Sequence, residues 1–121
     1  MRVYVAGPYM PKNCSLHDAA VLAHRNTMRA VRAFWDLVAK GHEPFVPHLS
    51  HFLHVHQPEN SVPPPPDFWY QFDLTWLHLC EGILMIGDWT NSHGAKLELE
   101  KAREWGLAVY FDISEVPDAV H

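Results

Sequence analysis

Cysteine is scarce in this sequence and follows no recognisable pattern. The 121 residues contain two, Cys14 and Cys80, which lie far apart and outside any C-x-x-C spacing. We therefore expect neither a disulfide framework nor a cysteine-based zinc site, and a reducing cytoplasm fits. The chain also lacks a run of 18 apolar residues, and its N-terminus lacks the apolar segment of a signal peptide. The expectation is a protein that is neither classically secreted nor membrane-spanning.

Basic residues are also few. Nine Lys and Arg face fourteen Asp and Glu, which gives a formal net charge of −5. Binding of a nucleic-acid polymer normally requires a basic face, so a small molecule or another protein is the expected partner. The length predicts one domain over residues 1–121, large enough for a single core.

Short β-rich stretches alternate with helical patterns along the chain. Strands are predicted at residues 2–6, 42–46, 83–86 and 107–111, and helices at 16–40, 48–56, 67–80 and from 92 onward. Residues 57–66 end in four consecutive prolines and predict a semi-rigid surface loop. This alternation predicts a single α/β domain, a flavodoxin-like or Rossmann-like parallel sheet of about four to five strands with helices on both faces.

Apolar periodicity supports two of the predicted helices. In the first helix the apolar residues Leu22, Met28, Val31, Trp35 and Val38 recur at three- and four-residue steps. In the helix at 67–80 one arc carries most of the large apolar side chains, and by default we interpret it as core. A subunit interface is the alternative, and Trp69 could instead stack on a planar ligand. The arc comprises Phe68, Trp69, Phe72, Trp76, Leu79 and Cys80.

Glu98 occupies an unexpected position in the last predicted helix. The apolar face there is formed by Ala95, Leu99, Ala102 and Trp105, and Glu98 points between the last two. A buried carboxylate costs several kcal/mol unless something compensates for it. One interpretation is an acid bonded to backbone N–H groups of the first helical turn. The other is a reactive group at the carboxyl end of a strand, where open α/β sheets bind their ligands.

Other polar residues are expected at the same sheet edge. In a parallel sheet Tyr9, His48, Ser92 and Glu98 can converge, and Asp73, which borders the apolar arc of its own helix, lies close by. Two carboxylates at one cleft are the minimum set for glycosidic bond cleavage. Ser92 and Gly94 at a helix start would suit a phosphate or a hydroxyl group, although Ser-x-Gly alone is not specific.

Four histidines, at positions 48, 51, 54 and 56, raise the alternative of a metal site, because His is a common metal ligand. Only the first three would share one side of a helix. We favour His48 as a residue that contacts a base, expect no metal and no cofactor, and assign no role to His51, His54 and His56.

Together these motifs resemble the nucleoside 2-deoxyribosyltransferase superfamily, which includes nucleoside deoxyribosyltransferases and nucleoside 5′-monophosphate N-glycosidases. The resemblance covers almost the whole chain. It rests on Val-Tyr-Val-Ala-Gly-Pro-Tyr at residues 3–9, on Gly-His-x-Pro-Phe-x-Pro-His at 41–48, and on Asp73 three residues before Trp76. Its most specific part is Ser92-x-Gly94-Ala95-x-x-Glu98, continued by Ala102 and Gly106.

The resemblance implies roles for individual residues. Glu98 stands where the family's glutamate attacks the anomeric carbon and carries the sugar as a covalent intermediate. Asp73 matches the aspartate that assists protonation of the departing base, and Tyr9 the tyrosine that contacts the nucleophile or the base. Substrate contacts are also expected from residues in several turns and helices. They are Gly7, His48, Trp69, Gly94, Ser92 and Ser114.

The residue at position 92, Ser92, indicates which group the substrate carries at the sugar's 5′ carbon. Family transferases that act on free nucleosides commonly have an aspartate here, whereas the monophosphate glycosidases resemble this chain in having serine. An aspartate would repel a phosphate and a serine can donate to it, so a nucleoside 5′-monophosphate is the favoured substrate. The resemblance also implies a homodimer or larger homo-oligomer in which a neighbour's C-terminal segment, around Ser114 by position, completes the 5′ pocket.

The fate of the sugar remains open from the sequence. Transfer to a second base would make the protein a deoxyribosyltransferase, and transfer to water would make it a 2′-deoxynucleoside 5′-monophosphate N-glycosidase, a hydrolase. A non-catalytic nucleotide-binding module that keeps the fold and pocket is the alternative from another class.

Overall fold

The computed structural model describes residues 1–119, without the side chains of residues 54 and 55. His54, one of the four histidines considered as metal ligands, therefore lies outside the described side chains. The four strands are β1 (Arg2–Ala6), β2 (Glu43–Phe45), β3 (Gly82–Met85) and β4 (Ala108–Tyr110). They form one parallel sheet in the order β2-β1-β3-β4, in which Val3 pairs with Gly82 and Gly82 with Ala108. The predicted parallel sheet is confirmed.

Helices lie between successive strands along the chain. They are α1 (Leu16–Ala39), α2 (Ser50–Val55), α3 (Phe68–His78) and α4 (His93–Glu104), with 3-10 turns at Pro47–Leu49, Trp89–Asn91 and Ile113–Glu115. The Ser15 side chain accepts from the N–H of Asp18 and begins α1, and Gly41, with φ of 88°, follows its end.

Two apolar layers hold the sheet from opposite sides. On one face Val3, Val5 and Leu84 pack against α1 and Val116. On the other face the alternate strand residues, among them Tyr4 and Ile83, pack against α3 and α4. Helices therefore cover both faces, as the sequence predicted.

The buried face of α1 is not the one traced by its large apolar residues. Met28, Trp35 and Val38 are exposed, and the residues that face the sheet are mostly small: Ala23, Thr27, Ala30, Ala33 and Leu37. Small side chains let a helix approach a sheet closely, so they form the inner face even though the periodicity of the larger residues suggests another one. The periodicity of the larger residues thus predicts the helix without identifying its buried face.

The aromatic arc of α3 is also more exposed than expected. Phe68, Phe72 and Trp76 keep about 40% of their surface accessible, at 37%, 37% and 42%, and Leu77 is the buried residue of the helix. Trp76 stacks on Phe45 of the edge strand β2, with ring centroids 5.4 Å apart. The default interpretation of this arc as core was wrong, and the interface alternative stays open.

Residues 57–66 contain no helix or strand, as predicted from their prolines. In the part of the chain that the structure describes, no helix is long and apolar enough to cross a membrane.

Candidate active site

A cavity of about 820 Å³ opens at the carboxyl edge of the sheet. It lies between the ends of the two central strands: from β1 the chain crosses to β2 on one side, and from β3 it crosses to β4 on the other. Open α/β sheets bind ligands at this position. Eight of the nine residues proposed from the sequence line it. They are Gly7, Tyr9, His48, Trp69, Asp73, Ser92, Gly94 and Glu98.

Glu98 lies on the buried face of α4, as its position in the sequence indicated. Only 8% of the residue is exposed. The pKa of its carboxyl group is raised to about 8, mainly by burial; the hydrogen bond from Tyr4 lowers it and the nearby charge of Asp73 raises it, and the value of about 8 includes both effects. A carboxyl group this deep is not a helix cap, because the cap of α4 is supplied by Ser92. The helix-cap interpretation of Glu98 is therefore excluded.

Tyr4 is a site residue that the sequence analysis missed. Its hydroxyl group donates to Oε2 of Glu98 from the middle of β1, where Tyr4 is fully buried. Burial and the neighbouring carboxylates raise the pKa of Tyr4 well above its usual value, so the group keeps its proton and remains a donor. A tyrosine within an apolar strand is typical of the core, and only the packing of α4 against the face of β1 that carries Tyr4 shows its partner.

Asp73 is the second carboxyl group of the cavity. It projects from the inner side of α3, and its Oδ1 is buried without a hydrogen-bond partner among the described residues. Burial raises its pKa from 3.8 to about 7. The two carboxyl groups interact, so they titrate as a pair that holds one proton near neutral pH.

His48 forms part of the cavity wall and is almost fully buried. Its Nε2 donates to the carbonyl oxygen of Pro8 at 3.0 Å. Burial lowers the pKa of the ring, and the backbone carbonyls of Pro8 and Gly7 offset part of that effect. The ring is therefore neutral, and Nδ1 has no hydrogen-bond partner within residues 1–119.

Tyr9 enters the cavity from the loop after β1, but its hydroxyl group bonds to Nδ1 of His51 at 2.6 Å. The loop is fixed to α1 by Asn26, whose side chain donates to the Tyr9 carbonyl oxygen at 3.0 Å. The hydroxyl group that reaches Glu98 is that of Tyr4, so contact of Tyr9 with the nucleophile is not seen. A contact between Tyr9 and the base stays a prediction.

The start of α4 borders the same cavity. The Ser92 side chain accepts from the N–H of Ala95 at 3.2 Å, which leaves its own hydroxyl proton able to donate. A Cβ added at Gly94 would meet no protein atom within 4 Å. Packing of the chain itself therefore does not require glycine there, and the open space is available to a ligand.

Two basic residues also line the cavity, although the sequence around the α4 motif is poor in them. Lys12 comes from the loop after β1, and Arg29 from the exposed side of α1. The Arg29 side chain lies against Gly87, where φ is +60° and an added Cβ would be 2.3 Å from Nη1. Both residues are distant in sequence from Ser92, so only the tertiary structure brings them to this site.

Gly7 has a packing role of its own. A Cβ at this position would be 2.7 Å from the Ile86 side chain and 2.9 Å from the Ile86 carbonyl oxygen. The glycine thus lets the ends of β1 and β3 approach each other beside the cavity.

The remaining proposed residues differ in position. Trp69 lines the cavity and packs edge-on against Phe68 and Phe72. Ser114 does not line it. Its N–H and hydroxyl group donate to Asp112 at 2.9 Å and 2.6 Å, in the turn after β4. A role in a neighbouring subunit's pocket stays a prediction.

No group of three or more His, Cys, Asp and Glu residues within the described part of the chain is placed to hold a metal ion. His51 instead bonds to Tyr9 and lies 6.0 Å from the His24 ring.

The fold and site define an α/β domain with two carboxyl groups, one buried and one half-buried, in a cavity at the carboxyl edge of a four-stranded parallel sheet. Residues 1–112 match the family described as Domain of unknown function (DUF7768), and the chain belongs to that family. Among solved structures it is similar to a 2-deoxyribosyltransferase from the psychrotolerant bacterium Bacillus psychrosaccharolyticus. The TM-score is 0.59 and the identity 21%, over 90% of this chain and 69% of that chain. This likeness shows the fold. No curated protein gives a significant match.

Proposed function

We propose that this protein is a nucleoside 2-deoxyribosyltransferase-like enzyme that cleaves the N-glycosidic bond of a 2′-deoxynucleoside or, preferentially, of its 5′-monophosphate. The observation that carries the proposal is the pair of carboxyl groups in one cavity, buried Glu98 and half-buried Asp73, both with a pKa raised by burial. Such a pair costs stability, and perturbed carboxyl groups in a cleft mark functional sites. The fold shared with a 2-deoxyribosyltransferase supports the choice of reaction.

In the first step Glu98 attacks the anomeric carbon in its ionised form, so the reacting state is the one in which the proton shared by the pair resides on Asp73, although the higher pKa is that of Glu98. The bond from C1′ to the base nitrogen breaks, its electron pair goes to the base, and Asp73 gives the base a proton. A bond forms between C1′ and a Glu98 oxygen, so the sugar is carried as a glycosyl ester. The hydrogen bond from Tyr4 holds the attacking carboxylate in place and favours its ionised form.

In the second step an acceptor attacks C1′ and releases Glu98, and Asp73 takes up the acceptor's proton. When the acceptor is a second base, the protein is a transferase, and when it is water, the protein is a 5′-monophosphate N-glycosidase. The large cavity has room for a base or for water once the first base has left.

The 5′-monophosphate is favoured because of the polar groups at the start of α4. Ser92 can donate, the helix N-terminus attracts an anion, and Gly94 leaves open space. Lys12 and Arg29 add two positive charges in the same cavity. Asp88 also lines it, but both of its oxygens accept from the Asn91 side chain, at 2.9 Å and 2.8 Å.

A homo-oligomer is part of the proposal. Phe68, Phe72 and Trp76 form an exposed aromatic row on α3, of the kind enriched at subunit interfaces. The turn that carries Ser114 is also exposed, so a neighbouring subunit could present it to the 5′ pocket. Molar mass in solution tests this part, since a monomer at all concentrations would remove it.

The decisive experiment is incubation with each deoxynucleoside and deoxynucleoside 5′-monophosphate, with and without a second free base, followed by chromatography. Free base alone indicates hydrolysis, and a new nucleoside or nucleotide indicates transfer. E98Q is expected to lose activity by at least about 10³-fold, while Glu100→Gln, on the exposed side of α4, keeps it. If wild type binds nucleotide but releases no base from any substrate, the protein is a binding module and the proposed reaction is wrong.

A further inference from the structure

The hydroxyl group of Tyr9 is bonded to a histidine outside the cavity. Tyr9 lines the cavity together with Pro47, His48 and Ser50, whereas His51 of α2 is not among the lining residues. The hydrogen bond between the Tyr9 hydroxyl group and Nδ1 of His51 is 2.6 Å long. The protein itself therefore engages this hydroxyl group.

Two further hydrogen bonds fix the backbone at Tyr9. Asn26 of α1 donates to the Tyr9 carbonyl oxygen at 3.0 Å, and His48 donates to the carbonyl oxygen of Pro8 at 3.0 Å. Because both carbonyl groups are held, the main freedom left to Tyr9 is rotation of its side chain. The bond to His51 restricts that rotation.

The Tyr9 ring contacts the rings of two histidines. It packs edge-on against His48, with ring centroids 6.3 Å apart, and against His51, with ring centroids 5.6 Å apart. His51 is held among rings in turn, since the ring centroids of Phe52 and His24 lie 5.4 Å and 6.0 Å from its own. Tyr9 and His51 are both half-buried. The hydroxyl group and the ring of Tyr9 are thus both held by α2 and the turn before it.

We propose that His51 is a positioning residue, which holds the Tyr9 ring in the cavity wall so that the ring, and not the hydroxyl group, contacts the substrate's base. The inference rests on the proposed function, because the base belongs to that substrate. An aromatic ring offers a planar base a large contact area at little cost in conformational entropy when it is already fixed. His51 acts on the substrate through Tyr9.

Loss of this bond is expected to weaken substrate binding without slowing the chemical step. In His51→Leu the Tyr9 ring is free to rotate away, and the substrate then binds only the fraction of molecules in which the ring is in place. The net strength of an ordinary hydrogen bond corresponds to a loss of about 3- to 10-fold. The KM for the best deoxynucleoside 5′-monophosphate should rise by that factor while kcat changes little.

A double-mutant cycle tests whether the two residues act as one unit. Tyr9→Phe keeps the ring and removes the hydroxyl group, so its KM should match that of His51→Leu, and the double variant should be no worse than either. If the Tyr9 hydroxyl group bonded to the substrate instead, the two losses would have separate causes and would add. Additive losses therefore overturn the inference.

His51→Asn is the conservative variant. Its amide places an oxygen or a nitrogen atom as many bonds from the backbone as Nδ1 of histidine, so it can accept from or donate to the Tyr9 hydroxyl group. KM should return toward the wild-type value, although Asn fills less space than Leu. An Asn variant no better than Leu would contradict the role of the bond. His17→Gln, exposed near the start of α1 and outside the cavity, should keep the wild-type KM. Thermal melting confirms that each variant is folded.

Binding without turnover separates this inference from the proposed reaction. In the E98Q background, calorimetry with each common deoxynucleoside 5′-monophosphate should show weaker binding for His51→Leu and Tyr9→Phe than for unaltered His51 or His51→Asn. Base release by wild type together with equal affinities in this series would overturn the positioning role and leave the reaction standing. The expected order of affinities without base release would do the reverse. Absence of both binding and base release would overturn the proposed function and this inference with it.

Discussion

Replacing Glu98 by glutamine is expected to stabilise the protein at neutral and alkaline pH, and by more as the pH rises toward the folded-state pKa. The pKa of Glu98 is raised from 4.5 to about 8 in the folded chain, mainly by burial. Below pH 4.5 the group is protonated in both states and stability is unaffected. Between about 4.5 and 8 the unfolded chain ionises while the folded chain holds its proton, so stability is lost as the pH rises through the folded pKa.

The loss of wild-type stability follows from the interval between the unfolded-state and folded-state pKa values of Glu98. Each pH unit changes the free energy of unfolding by about 1.4 kcal/mol, so wild type loses up to about 4–5 kcal/mol between pH 4.5 and pH 8. Glutamine has no such dependence, and its carbonyl oxygen can still accept the hydrogen bond from Tyr4. Its buried amide N–H groups are expected to cost about 1 kcal/mol at every pH. The variant should therefore be slightly less stable at pH 5 and several kcal/mol more stable at pH 9.

Urea unfolding at pH 5 and pH 9 measures both values. Glu100→Gln, on the exposed side of the same helix, is the matched control and should track wild type at both pH values. A difference between E98Q and wild type that does not change with pH would refute the reasoning, because desolvation of an ionisable carboxyl group would then not be its cause. The predicted gain comes with loss of activity, as expected where a site is built at the expense of stability.

Two further predictions concern residues that the sequence did not single out. Tyr4→Phe removes the donor that favours ionised Glu98, so kcat/KM at pH 7 should fall about 10- to 100-fold and the limb of the pH profile due to Glu98 should move to higher pH. An unchanged pH profile would mean that Tyr4 only fills space. His42→Leu should lower stability by about 1–3 kcal/mol in urea unfolding, because Nε2 of His42 donates to the Pro117 carbonyl oxygen at 2.6 Å and Nδ1 accepts from the N-terminal amine at 3.0 Å. Stability equal to that of His17→Gln would contradict this account.

Several features of the fold could be predicted from local patterns. The order of strands and helices, the glycine that follows α1 and the absence of regular structure in the proline-rich loop all depend on neighbours in sequence. The buried faces of α1 and α3 did not follow from periodicity. Small residues at one face and large apolar residues at another both repeat at helical spacing, and the sheet, which selects between them, is distant in sequence.

By itself, the sequence determined that an acid occupies the apolar face of the last helix, and that a second acid and a serine accompany it at one sheet edge. That much follows from helical geometry and from the rule that parallel strands end together. Only the tertiary structure decided that Tyr4, not Tyr9, bonds to Glu98, that Arg29 enters the cavity, and that Pro8 sets the tautomer of His48. These three depend on distances between side chains and backbone atoms of separate elements, and no local pattern encodes such distances.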